Sequence, residues 1–222
     1  MLYLVPTPIG NLKDITVRAL DVLNSVDLIA CEDTRTSAKL LGHYDIRVPR
    51  TSYHDHNERG RAPQLIEKMQ AGQRVALISD AGSPGISDPG FYLVRACIEA
   101  GIKVEALPGP TAIVPALTIS GLPCERFVYE GFLPVKKGRQ TRLKQLVEEQ
   151  RTMVFYESPH RILKTLTNFE ATFGPERPAA VVREISKTFE EVQRGSLEAL
   201  KKYFSEKNKV KGEFVIVVGG KR

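Results

Sequence analysis

The sequence is poor in cysteine: Cys31, Cys97 and Cys124 are odd in number, far apart and without a CxxC pair. That excludes a disulfide framework, gives no sign of a structural zinc site, and fits a reducing cytoplasm. Also absent is any run of ~18 uninterrupted apolar residues. The opening MLYLVPTPIGN breaks at Pro6 and Pro8 after a short apolar stretch with no basic lead, so neither a membrane span nor a signal peptide is expected. No GxGxxG follows the first β-rich run and no GxxxxGKS/T occurs, which leaves the usual dinucleotide and P-loop phosphate cradles unsupported. The chain has no internal repeat and no low-complexity tract.

What is present is ordinary for a globular protein: 222 residues, 42% hydrophobic and 26% charged, enough for two compact halves of ~100 residues. The net charge of +6 is compatible with a polyanionic partner without requiring one. LYLV (2–5), DLIAC (27–31), RVALIS (74–79) and KVEAL (103–107) read as strands, followed in the second half by FVYEGFL (127–133), TMVFYE (152–157), AAVVREI (179–185) and EFVIVV (213–218). Helical spacing separates them: 18–26 behind a cap at Asp14 or Thr16, 62–71 and 91–100 stopped by Gly72 and Gly101, then 138–150, 159–172 and 196–205. This alternation predicts an α/β protein, and the Gly121-Leu122-Pro123 punctuation predicts a hinge between domains 1–121 and 122–222.

The strongest local pattern is VALISDAGSPGISDPG at 75–90, an apolar strand running into Asp80 and then a loop rich in glycine and proline. Ligands of open α/β sheets bind outside the carboxyl ends of strands, where glycines let the backbone approach closely. A plain βα connection needs only ~2–6 residues. LPGPTA (107–112), ahead of a helical run at 113–119, and PTPIGN (6–11) repeat the pattern at two more strand ends, and the three together suggest one shared crevice. Prolines withdraw backbone donors and leave carbonyls, which suits a neutral or cationic ligand bearing an adenine or a sulfonium better than a triphosphate.

Polar groups gather in CEDTRTS (31–37) and SYHDHNERGR (52–61). Glu32, Asp33, Arg35, His54, Asp55 and His56 are candidates for acid-base chemistry or for holding a substrate backbone, although each taken singly reads more readily as a solvated loop residue. Two histidines at i, i+2 are too weak a signal for a metal, and none is expected. PVKKGRQTRLKQL (134–146) carries Lys136, Lys137, Arg139, Arg142 and Lys144 without one carboxylate, so it is either a solvated helix face or an RNA-backbone patch. In VVREISKTFEE (181–191), Arg183, Glu184, Lys187 and Glu190 either pair with one another or lend Lys187 to the chemistry.

Taken in order, LYLVPTPIGNL, CEDTRTS, SYHDHNE, ALISDAGSPGISDPG, LPGPTA, GFLP, FYESPHR, VVREISKTFEE and GEFVIVV cover nearly the whole chain and closely resemble the ribosomal RNA small subunit methyltransferase I family of the tetrapyrrole methylase superfamily. The resemblance implies S-adenosylmethionine as cofactor and 2′-O-methylation of a cytidine ribose in the decoding region of 16S rRNA, in the small ribosomal subunit. It also implies an α/β fold of two αβα domains with the cofactor in the cleft between them, and a homodimer; no membrane partner is expected, since the sequence has no apolar span. By motif position the implied cofactor contacts are Pro8, Asp80, Ala81, Gly82, Ser83, Pro84, Gly85, Pro108, Gly109, Thr111, Ala112, Ser120, Tyr156, Ala180 and Phe214.

Methyl transfer from a sulfonium is an in-line displacement, so alignment of donor and acceptor comes first. A ribose hydroxyl is a poor nucleophile until deprotonated, and a base or an alkoxide-stabilising cation is expected among Glu32, Asp33, Arg35, His54 and Lys187, between which the sequence does not choose. Two rival readings remain: a small-molecule or protein methylase of the same superfamily, and a non-catalytic RNA-binding assembly module.

Overall fold

The apolar run VALI becomes β4 (Val75–Ile78), and burial of all four side chains puts it at the centre of a five-stranded sheet. The computed structural model describes residues 1–221 and divides into two units, Met1–Thr111 and Ala112–Arg222. The first runs β1 (Leu2–Leu4), α1 (Val17–Ser25), β2 (Leu28–Cys31), α2 (Thr34–His43), β3 (Arg50–Ser52), α3 (Glu58–Gln70), β4, α4 (Phe91–Glu99) and β5 (Val104–Ala106). Its strands lie in the order β3-β2-β4-β1-β5, all parallel.

Strand alternation sends Ala76, Ile78, Ile29 and Cys31 to one face, under Ala19 and Leu23 of α1 and Leu41 of α2. Val75, Leu77, Leu2 and Ala30 face the other way, under α3 and α4. Thr16 starts α1 by accepting the Ala19 N–H, and Gly72 (φ +92) and Gly101 (φ +67) follow the ends of α3 and α4 as expected. The helix after β1 and the helix after the adjacent β4 therefore lie on opposite faces. That is a topological switch point, where open α/β sheets leave a crevice at their carboxyl edge.

The second unit runs α5 (Ile113–Ile119), β6 (Phe127–Phe132), α6 (Arg139–Gln145), β7 (Thr152–Glu157), α7 (Ile162–Phe173), β8 (Pro178–Arg183), β9 (Glu191–Ser196), α8 (Leu197–Ser205) and β10 (Phe214–Val218). Its sheet is mixed, in the order β6-β7-β10-β8-β9, with only β6 and β7 parallel neighbours. Phe155, Val181 and Ile216 pack under α6, α7 and α8 around Phe169 and Phe204; truncating a fully buried phenylalanine such as Phe155 would cost about 3–5 kcal/mol. On the other face α5 lies against β10.

The units divide at Thr111 and Ala112, ahead of the expected hinge. Gly121 (φ +76) follows Ser120, the residue that closes α5, so the Gly121-Leu122-Pro123 signal belongs to a helix end. Among the described residues no helix is long and apolar enough to cross a membrane.

Candidate active site

Because the first sheet is parallel, the loops after β1, β4 and β5 emerge at one edge, and backbone bonds stitch them together. Thr7 and Gly82 exchange N–H to carbonyl bonds of 2.9 Å in both directions, joining the loops at the switch point. The Thr7 hydroxyl donates to the Ser79 carbonyl at 3.1 Å, and the Ser83 hydroxyl donates to the Pro110 carbonyl at 3.2 Å. Gly82 adopts φ +79. A Cβ on Gly109 would stand 2.7 Å from Cβ of Pro6, so only glycine lets the loops after β1 and β5 approach this closely. The structure thus brings together Pro8, the 80–85 loop, Pro108, Gly109 and Thr111.

The acidic residues expected for chemistry join the same edge from β2 and β3. The Asp33 N–H donates to Asp80 at 3.1 Å, and the Asp80 N–H reaches Glu32 at 3.4 Å. Burial raises the Glu32 carboxyl above its ordinary value, with Asp80 and Asp55 adding repulsion. Burial likewise raises Asp80. Asp33 and Arg35 are instead committed to each other: Asp33 caps α2 by accepting the Arg35 N–H at 2.7 Å and takes a two-pronged bond from its guanidinium. Those bonds hold Asp33 well below the usual carboxylate range, which removes it as a base. The His54 backbone N–H donates to Asn57 Oδ1 at 2.9 Å, and its Nε2 lies 3.1 Å from the Asn57 amide nitrogen.

The group the sequence reading missed is Asp88. It is half-buried in the loop after β4, behind Ser87 in a left-handed conformation (φ +61) and ahead of Gly90. A Cβ on Gly90 would meet Gly85 N at 3.1 Å, so the loop that carries Asp88 closes on itself. Burial first, and then the charges of Glu32 and Asp80, push its carboxyl up to about 7. Its place inside a glycine-proline loop gave no periodic signal. Among the described residues no group of three His, Cys, Asp or Glu side chains is arranged to hold a metal.

In the second unit, Tyr156 lies opposite Val215, and Ala180 lies opposite Val217. Alternation therefore puts both on the face turned away from the helical core, the face on which α5 lies, with Ala112 and Ser120 at the two ends of α5. Tyr156 stacks edge-on against Tyr129 at 5.3 Å. The Ser120 hydroxyl donates to the Leu117 carbonyl and accepts the Leu122 N–H, closing the helix. Phe214 differs from expectation: its ring is buried in the opposite, helical core against Phe204, centroids 5.9 Å apart, so a cofactor would meet only its backbone.

The basic run is not one surface. Arg139 is 5% exposed, donates to Asn168 at 3.0 Å and to the Thr165 hydroxyl at 2.6 Å, and lies 4.0 Å from buried Glu157. The Thr165 hydroxyl in turn donates a hydrogen bond to Glu157 at 2.6 Å. Arg139 is structural and leaves the RNA set. Arg142 holds Glu130 with two bonds of 2.7 Å, whereas Lys136, Lys137 and Lys144 are exposed and have no ion-pair partner among the described residues. Lys187 is clamped by Glu184 and Glu213, each at 2.9 Å. Burial opposes its charge, but the two carboxylate bonds prevail and raise its pKa, so it stays protonated and cannot serve as a base.

A sequence profile of the Tetrapyrrole (Corrin/Porphyrin) Methylases matches residues 1–201. The chain is 54% identical over 221 residues to a ribosomal RNA small subunit methyltransferase I from Synechocystis sp., covering 99% of this chain and 79% of that one. It is 52% identical to a protein of the same description from Escherichia coli O157:H7, covering 99% and 77%. Among solved structures it is similar to a uroporphyrin-III-C-methyltransferase from Thermus thermophilus, with a TM-score of 0.69 and 22% identity over 98% of this chain and 93% of that one. It is also similar to a diphthine synthase, with a TM-score of 0.76 and 18% identity over 99% and 90%. At those identities the two structures share the fold with this chain.

Proposed function

This chain belongs to the tetrapyrrole methylase family, among its ribosomal RNA small subunit methyltransferase I members, and on that premise we propose that it methylates a cytidine ribose 2′-hydroxyl of 16S rRNA with S-adenosylmethionine. The observation that carries the reading is identity at half of all positions along nearly the whole chain with relatives of that description.

The residues of the first unit suit the cofactor. Loops that lock together through Thr7 and Gly82 and pass within contact of Gly109 form a cradle a side chain would fill. Carboxylates at Asp80 and Glu32 complement a cationic ligand. The cofactor supplies an electrophilic methyl group on a sulfonium sulfur. Pro8, Asp80, Ala81, Gly82, Ser83, Pro84, Gly85, Pro108, Gly109 and Thr111 are the proposed contacts on this unit.

The proton of the acceptor hydroxyl goes to Asp88. A base works best when its pKa lies near the operating pH, and Asp88 at about 7 meets that condition while Asp33 and Lys187 do not. Glu32 and Asp80 keep the proton affinity of Asp88 high by their charge, and His54 is retained as a substrate contact. Lys136, Lys137 and Lys144 are proposed to meet rRNA phosphates. A homodimer working in the cytoplasm belongs to the same reading.

Incubation with labelled S-adenosylmethionine, offering small ribosomal subunits and a tetrapyrrole in parallel, tests it. Label is expected in 16S rRNA. Label in the tetrapyrrole alone would overturn the reading in favour of a small-molecule methylase.

A further inference from the structure

The second sheet carries a feature that the methylation reading leaves unused. β7 and β8 are both antiparallel to β10, and β6 is parallel to β7. The carboxyl ends of β6, β7 and β8 therefore share one edge with the start of β10. Two aromatic rings stand out there: Phe132, closing β6, is 53% exposed, and Phe189, at the tip of the β8–β9 hairpin, is 71% exposed. β6 and β8 are three strand spacings apart, about 14 Å.

The hairpin tip is built to hold Phe189 out. Glu184 (φ +52) and Ser186 (φ +64) both take the left-handed conformation that residues with a side chain rarely adopt. Four bonds hold the turn: Glu184 N–H to the Glu213 carbonyl at 2.9 Å, Lys187 N–H to the Glu184 carbonyl at 3.0 Å, Glu190 N–H to the Lys187 carbonyl at 3.1 Å, and Ser186 N–H to the Glu190 carboxylate at 2.7 Å. A ring presented on a rigid turn binds without first having to be ordered.

The charge around it is mostly basic. Glu184 and Glu213 are held by Lys187 and Glu191 by Lys207, and exposed Glu190, next to Phe189, has its carboxylate turned to the Ser186 N–H. Lys209 and Lys211 are exposed and have no ion-pair partner among the described residues. The segment carrying them is tied to the hairpin where Arg183 Nε donates to the Lys211 carbonyl at 2.6 Å. Exposed aromatic rings at an edge that also carries unpaired lysines suit a single-stranded polyanion whose bases have faces to stack.

We propose that this edge docks an unpaired stretch of the substrate RNA, with one base stacked on Phe189 and adjacent phosphates on Lys209 and Lys211. The inference rests on the reading that the substrate is ribosomal RNA, and it adds a contact that selects unstacked RNA.

The test measures binding of purified small ribosomal subunits, over a range of salt, to the parent, F189A, F189W and the double variant K209Q/K211Q. Cofactor affinity by calorimetry and particle mass by light scattering are measured on each. F189A should weaken subunit binding roughly ten- to hundredfold, leaving the salt slope and the cofactor affinity as in the parent. F189W should restore binding, and K209Q/K211Q should flatten the slope of log affinity against log salt by about 1.4. If F189A binds subunits as tightly as a parent that methylates them, the docking edge is wrong and the methylation reading stands. If F189A instead changes the particle mass, Phe189 covers a protein contact and the proposal falls. A parent that neither binds nor methylates subunits removes the reading and the docking edge together.

Discussion

Thr7 and Gly82 are paired by two reciprocal 2.9 Å backbone bonds, which lock the loop after β1 to the loop after β4 where the covering helices change face. Gly109 completes this arrangement by fitting against Pro6. A G109V variant puts a Cβ at 2.7 Å from Cβ of Pro6, so the loops must part, and cofactor affinity should fall at least about tenfold, or ~1.4 kcal/mol. G82A meets Ile9 Cγ2 at 3.5 Å and the Pro110 carbonyl oxygen at 3.9 Å, both ordinary contacts, and should lose less, mainly through its positive φ. Calorimetry with S-adenosylmethionine decides; parent affinity in G109V would mean the cofactor is held elsewhere.

Asp88 should govern the pH dependence. As a base it must be ionised, so the transfer rate should rise through a pKa of about 7 and then level. D88N should remove that ascending limb along with most of the activity. Stability moves in the opposite sense, because the folded pKa lies above the unfolded 3.8. The contribution of the protonated group is full below about pH 4 and is lost as pH rises to about 7. Urea midpoints should therefore show D88N gaining on the parent between pH 4 and pH 8; a constant difference would place Asp88 in water.

Arg139 should matter to folding and not to RNA. Replacing it with methionine leaves Glu157 buried with Arg161, at 2.8 Å, as its remaining ion-pair partner, and should cost about 3 kcal/mol in urea unfolding. The salt slope of RNA binding should not change. A flattened slope with parent stability would return Arg139 to the RNA surface.

Lys136 and Lys137 are the better test of the basic loop. K136Q/K137Q should reduce the salt slope by about 1.4, at ~0.7 per single-strand phosphate contact, with cofactor binding intact. An unchanged slope would leave the run a solvated surface.

Much of the fold was legible because long apolar strands such as β4, β7 and β10 bury both faces and so read as continuous runs. Of the four edge strands, β5 and β6 were read and β3 and β9 were not. β3 has three residues, and β9, EVQRGS, buries none of its side chains fully, so neither carries an apolar run. α2 hid because its capping residue Asp33 and first turn lie inside the polar stretch CEDTRTS. The glycine-proline loops were found at the correct strand ends, since their backbone demands are written in residue type. Asp88 and Arg139 were misjudged for a common reason: the state of a charged side chain depends on its burial and on groups brought in from other elements, Glu32 for the one and Glu157 and Thr165 for the other.

The most direct test of the central claim is nucleoside mass spectrometry of 16S rRNA after reaction of the protein with small ribosomal subunits and isotopically labelled S-adenosylmethionine. The account predicts one labelled methyl on cytidine, with the added mass on the ribose fragment and none on the base. Label on a base, or rRNA left unlabelled under conditions in which the cofactor binds, would contradict it.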